Sequence, residues 1–197
     1  LMSNKIEKVA VLGAGTMGAQ IAGHLANAGI PSCLFDISQE LAEKGVGILT
    51  SLKPAPLYKP KNVGLIEACN YDQHLEKIKE ADWVLEAVAE NLEIKHKVYN
   101  KIMDFIKDTT IVSSNTSGIP LADLTEVMSE DVKKRFLITH FFNPPRYMRL
   151  LELVKGPNTS DDVYNNMASF GENILGKGIV HAKDTPNFVG NRIGVHG

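Results

Sequence analysis

The chain has 197 residues, of which 44% are hydrophobic, and a formal net charge of -2 at pH 7. This composition is ordinary for a globular protein, and the weak, mixed charge gives no electrostatic reason to expect nucleic acid or an anionic membrane as a partner. No apolar run approaches the ~20 residues of a membrane span, and the amino terminus lacks the apolar core of a signal peptide. Cys33 and Cys69 are the only cysteines. They provide no disulfide framework and no metal-ligand spacing, and they predict a cytoplasmic protein with reduced thiols and no metal site.

The first residues predict a strand, a tight turn and a helix that together hold a phosphate. Val9–Leu12 form an apolar run typical of a buried parallel strand, and Gly13, Gly15 and Gly18 follow. In such a turn the first glycine permits the sharp bend, the second lets a pyrophosphate approach the backbone, and the third lets the helix pack on the strand. Purely structural turns also carry glycines at this spacing, so the residues that follow are needed to distinguish a phosphate-binding turn from a structural one.

The helix and the strand that follow the glycines favour the phosphate-binding turn. Thr16 and Met17 stand in the first helical turn, whose N–H groups and positive dipole end favour an anion. Residues 30–35 are predicted to form a second strand that ends at Asp36, 18 residues after Gly18. A carboxylate at about 20 residues from the glycines accepts hydrogen bonds from the adenosine ribose and repels a 2′-phosphate, which favours NAD over NADP. The alternative is that Asp36 only caps the following helix.

Beyond the second strand, helices and strands alternate as in a doubly wound sheet. Helices are predicted at residues 39–52, 73–80, 90–105, 120–128 and 159–175, and strands at residues 65–70, 83–88, 109–114, 135–142, 148–154 and 178–182. The predicted buried face of the helix at residues 90–105 carries Ile94, Val98, Ile102 and Phe105. The predicted fold class is α/β, with a Rossmann-type, mostly parallel sheet and an added antiparallel strand pair near the carboxyl end.

Residues 53–61 are predicted to form a loop, because three prolines remove backbone donors and restrict φ. The loop carries Lys53, Lys59 and Lys61. Two interpretations of these lysines stay open. They form a solvated surface, or they contact the phosphates of a bulky substrate.

Two later segments carry polar residues that can take part in chemistry. The run from Asn115 to Gly118 follows a predicted strand at the end of the sheet where ligands bind, although polar turns there are often only structural. The turn between the strands at residues 135–142 and 148–154 is too short for a crossover, so these strands are predicted to be antiparallel. His140 and Glu152 can then lie opposite or diagonal. Glu152 stands among aliphatic residues where an unpaired carboxylate is costly, so His140 is its expected partner.

These motifs together resemble the amino-terminal, NAD-binding domain of the L-3-hydroxyacyl-CoA dehydrogenase family, over essentially the whole chain. The glycine turn is shared with many dehydrogenases. More specific are His140-Phe-Phe-Asn-Pro144, the glutamate twelve residues after the histidine, the preceding Asn-Thr-Ser, and the run from Asp184 to Phe188 with Asn191 after it. The resemblance implies NAD as cofactor. It also implies an acyl-CoA substrate with a 3-hydroxyl that is oxidised to a 3-keto group in fatty-acid beta-oxidation.

The resemblance also implies the roles of individual residues. The implied catalytic residues are His140 as general base, Glu152 as its orienting partner, Ser117 as a hydrogen-bond donor to the reacting oxygen, and Asn191 as a further oxyanion contact. The implied cofactor-binding residues are Gly13, Gly15, Thr16, Met17, Gly18, Asp36, Glu90, Lys95, Asn115 and Ser117. Imidazole, with an ordinary pKa near ~6.5, suits the removal of the hydroxyl proton, and a carboxylate on its other nitrogen fixes the tautomer.

The implied domain boundaries are residues 1–184 for the NAD-binding domain and residues 185–197 for the start of a helical carboxyl-terminal domain that is otherwise absent. The expected partners are an acyl-CoA, that helical domain and a second copy in a dimer. A fused enoyl-CoA hydratase is a further option, and this domain alone is expected to be poorly active. Two alternatives stay open, a 3-hydroxybutyryl-CoA dehydrogenase of the same architecture and a non-catalytic NAD-binding module.

Overall fold

The structure of the protein, a computed structural model, describes residues 5–184. Its strands are β1 Val9–Leu12, β2 Ser32–Asp36, β3 Ile66–Asn70, β4 Trp83–Glu86, β5 Ile111–Ser114, β6 Phe136–Phe141, β7 Leu150–Lys155 and β8 Gly178–Lys183. Its α-helices are α1 Thr16–Asn27, α2 Gln39–Gly47, α3 Leu92–Ile102, α4 Leu121–Leu124, α5 Glu130–Lys133 and α6 Asp161–Asn173. Short 3₁₀ turns cover Ile48–Thr50, Pro60–Leu65, Leu75–Glu80, Met103–Phe105 and Thr125–Val127.

All of these strands belong to one sheet in the order β3-β2-β1-β4-β5-β6-β7-β8. Neighbouring strands are parallel except for β6 and β7, which are antiparallel, and β8 returns parallel to β7. The strand order reverses between β1 and β4, and in open α/β sheets the ligand crevice lies at this reversal. The predicted fold class, including the antiparallel pair, is confirmed.

Helices cover both faces of the sheet, which explains why β1 is apolar throughout. Val9 and Val11 face the core that α1 and α6 cover, whereas Ala10 and Leu12 face the core under α3. A strand that is buried on both faces has no polar position, so its sequence is a continuous apolar run rather than an alternating one.

Several predicted helices differ in detail from the structure. The helix predicted at residues 39–52 ends at Gly47, where glycine weakens the helix, and a 3₁₀ turn follows. The segment predicted as a helix at residues 73–80 is a 3₁₀ turn, Leu75–Glu80, and residues 120–128 divide into α4 and a 3₁₀ turn. The short helix α5, capped by the Ser129 hydroxyl, was not predicted.

The buried face of α3 was predicted wrongly at one position. Ile94 is 42% exposed, while Lys95 and Tyr99 lie fully inside beside Val98. The reason is that the polar ends of Lys95 and Tyr99 both reach Glu86 of β4, which allows long side chains with polar tips to occupy the interior.

Candidate active site

A crevice opens at the carboxyl ends of β1 and β4. One part is a cavity of about 310 Å³ whose walls include Gly13, Gly15, Asp36, Tyr71 and Val88. A second part of about 170 Å³ is lined by Met17, Ala87, Val88, Glu90, Lys95 and Asn115. The two parts share Ala87 and Val88, so they form adjoining halves of one elongated cleft.

The glycine turn forms one wall of this cleft, as its sequence predicts. Gly13 has a φ of +106°, and a Cβ atom there would lie 2.6 Å from the Ala87 carbonyl oxygen. A Cβ atom on Gly18 would lie 1.8 Å from the Gly13 carbonyl oxygen, so only glycine allows α1 to approach the turn. α1 begins at Thr16, and its N-cap Gly15 provides no side-chain cap. The first N–H groups of a helix have no intrahelical partner, so this end of α1 is suited to an anion.

Asp36 lies across the glycine turn at the end of β2. Its Oδ2 accepts a hydrogen bond from the Ala14 N–H at 2.9 Å, and its Oδ1 accepts one from the Ile37 N–H at 2.7 Å. None of the described residues that line this half of the cleft is a lysine or arginine. An anionic carboxylate without a neighbouring cation favours a free ribose hydroxyl over a phosphate.

Lys95, which lines the other half of the cleft, belongs to a buried ion pair. Lys95 is 1% exposed, and its Nζ donates to Glu86 Oε2 at 2.5 Å and to the Val88 carbonyl oxygen at 3.2 Å. The same Nζ lies 3.3 Å from Glu90 Oε1. Lys95 therefore joins the predicted residue Glu90 to Glu86, which sequence reasoning did not single out.

Glu86 is completely buried and has a full set of donors. Its Oε1 accepts from the Tyr99 hydroxyl at 2.7 Å and from the Ser114 hydroxyl at 2.6 Å, while Oε2 also accepts from the Val88 N–H at 3.0 Å. Burial and the adjacent Glu86 charge raise the pKa of Tyr99 well above its usual value, so the phenol keeps the proton that it donates.

Glu90 connects the cleft to the polar turn after β5. Its Oε2 accepts from the Thr116 hydroxyl at 2.7 Å and from the Ser117 N–H at 3.0 Å. Burial raises the pKa of Glu90, but these two hydrogen bonds and the Lys95 charge outweigh burial and hold the pKa below its usual value. Glu90 is therefore an anion that holds Ser117 at the end of β5.

Asn115 connects this turn to the strand that carries the predicted base. Its Oδ1 accepts a hydrogen bond from the Phe141 N–H at 2.8 Å, and its own N–H donates to the Glu86 carbonyl oxygen at 2.9 Å. Asn115 also lines the cleft. The contact fixes the position of β6 next to β5, with His140 one residue from the bonded amide.

His140 and Glu152 face each other on β6 and β7. They are directly opposite in the antiparallel register, and His140 Nδ1 lies 3.1 Å from Glu152 Oε1. The imidazole is 14% exposed, whereas the glutamate side chain is 1% exposed. Within the described part of the chain, nothing donates to Glu152 Oε2. The predicted proximity is confirmed, and the roles of the two residues stay predictions.

Two basic residues hold the turn between β6 and β7. Lys177 is buried, its Nζ donates to the carbonyl oxygens of Pro145 and Met148, and burial lowers its pKa to about 8. Arg146 donates to the Ala55 carbonyl oxygen at 2.7 Å and lies 4.1 Å from the centre of the Tyr58 ring. The proline-rich loop therefore lies against the hairpin turn, and its three lysines are exposed.

The structure brings together most of the residues singled out in the sequence. Around the cleft lie Gly13, Gly15, Thr16, Met17, Gly18, Asp36, Glu90, Lys95, Asn115 and Ser117. His140 and Glu152 lie on the next two strands after β5, namely β6 and β7. Asn191 lies outside the described residues. Sequence reasoning missed Glu86, Tyr99 and Lys177. Glu86 shows the same signal that identified Glu152, namely a carboxylate within an apolar run.

Comparisons with known proteins agree with this arrangement. Residues 8–185 match the family described as 3-hydroxyacyl-CoA dehydrogenase, NAD binding domain. The chain is 47% identical to a probable 3-hydroxyacyl-CoA dehydrogenase of Deinococcus radiodurans, over 98% of the chain and 58% of that protein. It is 46% identical to a Bacillus subtilis protein of the same description, over 100% of the chain and 28% of that protein.

A solved structure shows the same fold. The crystal structure of (S)-3-hydroxybutyryl-CoA dehydrogenase from Ralstonia eutropha matches with a TM-score of 0.82 and 33% identity, over 96% of this chain and 68% of that chain. The chain spans between about a quarter and three fifths of the two curated relatives. The match over nearly all described residues places the chain in the 3-hydroxyacyl-CoA dehydrogenase family, as its NAD-binding domain.

Proposed function

We propose that this domain serves the NAD-dependent oxidation of (S)-3-hydroxyacyl-CoA to 3-ketoacyl-CoA in fatty-acid beta-oxidation. The observation that supports it most is the His140–Glu152 pair, held 3.1 Å apart on the strands next to the cleft. When bound, NAD supplies the hydride acceptor. A secondary alcohol that loses a hydride must also lose its hydroxyl proton, and a partly exposed imidazole beside the cleft is suited to take it.

The chain's own residues divide this work. His140 Nε2 receives the hydroxyl proton while Nδ1–H stays hydrogen-bonded to Glu152, whose charge stabilises the imidazolium that forms. Ser117, held by Glu90 at the end of β5, donates a hydrogen bond to the reacting oxygen. The family resemblance assigns a further contact with that oxygen to Asn191, which lies outside the described residues. Asp36 accepts from the adenosine ribose, and the first turn of α1 faces the pyrophosphate.

The test of the base is acetoacetyl-CoA-dependent oxidation of NADH by a protein that contains this domain, in wild type and His140→Gln. We expect kcat to fall by roughly 10²–10⁴-fold, the usual contribution of a positioned acid–base group. His181→Gln is the matched control, because His181 is an exposed histidine on β8. Unchanged turnover in His140→Gln would disprove the assignment. Binding of NADH without turnover in wild type would favour a non-catalytic NAD-binding module instead.

Cofactor choice is tested on the same chain by titration with NADH and NADPH. We expect wild type to prefer NADH, and Asp36→Ala to lose about tenfold or more in NADH affinity, because a hydrogen bond to a charged group is lost. Asp108→Ala, at an exposed position, serves as the control. Equal affinities of wild type for the two cofactors would contradict the ribose assignment.

A 3-hydroxybutyryl-CoA dehydrogenase is the second candidate, and the likeness to the Ralstonia eutropha enzyme favours it. The two candidates differ in acyl length, so kcat/KM for acetoacetyl-CoA against longer 3-ketoacyl-CoA esters distinguishes them.

The remaining proposals are a cytoplasmic location, a helical carboxyl-terminal domain at residues 185 onward, a dimer and a fused enoyl-CoA hydratase. The free thiols Cys33 and Cys69 support the location, and the greater length of the relatives supports additional domains. No helix among the described residues is long and apolar enough to cross a membrane.

A further inference from the structure

The sheet brings together two cysteines that are 36 residues apart in the chain. Cys33 lies on β2 and Cys69 on β3, and the parallel register pairs Cys33 with Glu67 and Phe35 with Cys69. Side chains two residues apart on a strand point to the same face. The thiols of Cys33 and Cys69 and the carboxylate of Glu67 therefore lie on one face of the sheet, far from the proposed base at His140.

The donor atoms of these three side chains are close enough to share one ion. All of them lie within 4.8 Å of one another, and Cys33 Sγ is 4.0 Å from Glu67 Oε1. Around tetrahedral zinc, bonds of ~2.3 Å to sulfur and ~2.1 Å to oxygen place the ligand atoms about 3.6–3.8 Å apart. The cluster reaches this geometry with side-chain movements of about 1 Å or less.

Lysines lie near the cluster and offset part of the negative charge of its ligands. Lys77 Nζ lies 2.9 Å from Glu67 Oε2, which leaves Oε1 directed to the thiols. Lys8 also acts on Cys33 electrostatically. Two thiolates, one carboxylate and a divalent cation carry a net charge of -1, which the Lys77 ammonium beside Glu67 balances. A cation can reach the three ligands from the side of Glu67. This side chain is half exposed on the edge strand β3, whereas both cysteines are buried.

We propose that Cys33, Cys69 and Glu67 bind one soft divalent cation of the zinc class, with a fourth position open to solvent at the sheet edge. Two thiolates with a harder oxygen ligand select such a cation over magnesium or calcium. Binding converts both thiols to thiolates and releases their two protons to solvent, and no electrons are transferred. The cation links β2 to β3 two residues before Phe35 and Tyr71, whose stacked rings lie 5.6 Å apart, and Tyr71 lines the larger half of the cleft.

The test titrates the purified chain with Cd²⁺ and Co²⁺ under a phosphine reductant, which keeps the thiols reduced. Thiolate-to-cadmium absorption should saturate at one cation per chain, Co²⁺ should give a tetrahedral visible spectrum, and Zn²⁺ should displace both. Cys33→Ser and Cys69→Ser should abolish the absorption, and Glu67→Gln should weaken the affinity by about tenfold or more. Glu80→Gln is the control, because Glu80 is a carboxylate that pairs with Lys8 and is not a ligand.

Three results would overturn the site. One is the absence of thiolate-to-metal absorption in wild type, and another is equal affinity in wild type and both serine variants, which means an adventitious ion only. Because the serine variants replace buried groups, their folding is checked by circular dichroism. If they fail to fold, Glu67→Gln decides, since its side chain is half exposed, and unchanged affinity there would refute the three-ligand site.

Discussion

The two fully buried glutamates of the sheet, Glu86 on β4 and Glu152 on β7, are held in different ways. Both are 0% exposed. Glu86 accepts from an ammonium group, two hydroxyl groups and a backbone N–H, so both of its oxygens are satisfied. Glu152 has one described partner, His140, and its second oxygen has none among the described residues.

This difference separates a structural carboxylate from one suited to chemistry. A carboxylate that already has a lysine and several neutral donors is stabilised little further when a neighbouring group takes a proton. A carboxylate with one neutral imidazole partner is stabilised further when that imidazole takes a proton. Glu86 therefore supports the cleft, whereas the partners of Glu152 fit the proposed role, in which its charge assists proton transfer at His140.

The strongest test of this contrast is Glu86→Gln. The change leaves Lys95 buried with a neutral amide beside it, and the remaining carboxylate of Glu90 is 3.3 Å away. Breaking one partner of a buried ion pair typically costs about 3–5 kcal/mol, so we expect a loss of this size in the free energy of unfolding, measured by urea denaturation.

The control for this test removes both charges. Lys95→Met alone should destabilise the fold to a similar extent, while Glu86→Gln with Lys95→Met should recover most of the stability. If the double variant loses as much as the sum of the single variants, the two residues are not coupled and Glu86 is not held as described.

Much of this architecture could be predicted from the sequence because short sequence patterns determine it. The glycine spacing indicates a tight turn, the apolar run indicates a strand buried on both faces, and Asp36 indicates a carboxylate at a strand end. The short turn after β6 permits only an antiparallel partner. The period of two on such a pair then predicted that His140 and Glu152 share one face, opposite or diagonal, and the structure has them opposite.

The parts that could not be predicted depend on contacts between distant segments. Glu86 meets Lys95 and Tyr99 only after α3 packs on β4, so an apolar-periodicity argument placed Ile94 inside instead. Cys33 and Cys69 come together only through the register of β2 and β3, which their spacing in the chain does not encode.

Glu152→Gln tests the other side of the contrast. The amide oxygen can still accept from His140 Nδ1–H, so the free energy of unfolding should change by less than about 1 kcal/mol. Turnover in the acetoacetyl-CoA assay should fall by about 10²-fold or more, equivalent to ~2.7 kcal/mol in the barrier, because the neutral amide no longer stabilises the imidazolium. If Glu152→Gln keeps full turnover per folded molecule but unfolds as easily as Glu86→Gln, Glu152 is a structural carboxylate and the proposed contrast is wrong.

His24 extends the comparison to a buried ionisable group that pairs with no acidic side chain among the described residues. It lies on α1, is 6% exposed, and neither ring nitrogen has a hydrogen-bond partner among the described residues. Burial, and then the positive charge of Lys177, lower the pKa of His24 to about 4. Unlike the two glutamates, this group is accommodated by remaining neutral.

That difference predicts the weakest of the three effects, a loss of stability in acid. Because the folded pKa lies below the unfolded value of ~6.5, the unfolded chain binds the proton first. The contribution of His24 is therefore fully present above pH ~6.5 and is lost as the pH falls towards 4. Between pH ~7 and ~5, His24 should contribute about 2 kcal/mol of the lost stability, and His24→Leu should lack this part of the loss. Urea denaturation at both pH values measures it, with His181→Gln, an exposed histidine, expected to follow wild type. Parallel pH profiles for wild type and His24→Leu would show that His24 is protonated in the fold and has found a partner there.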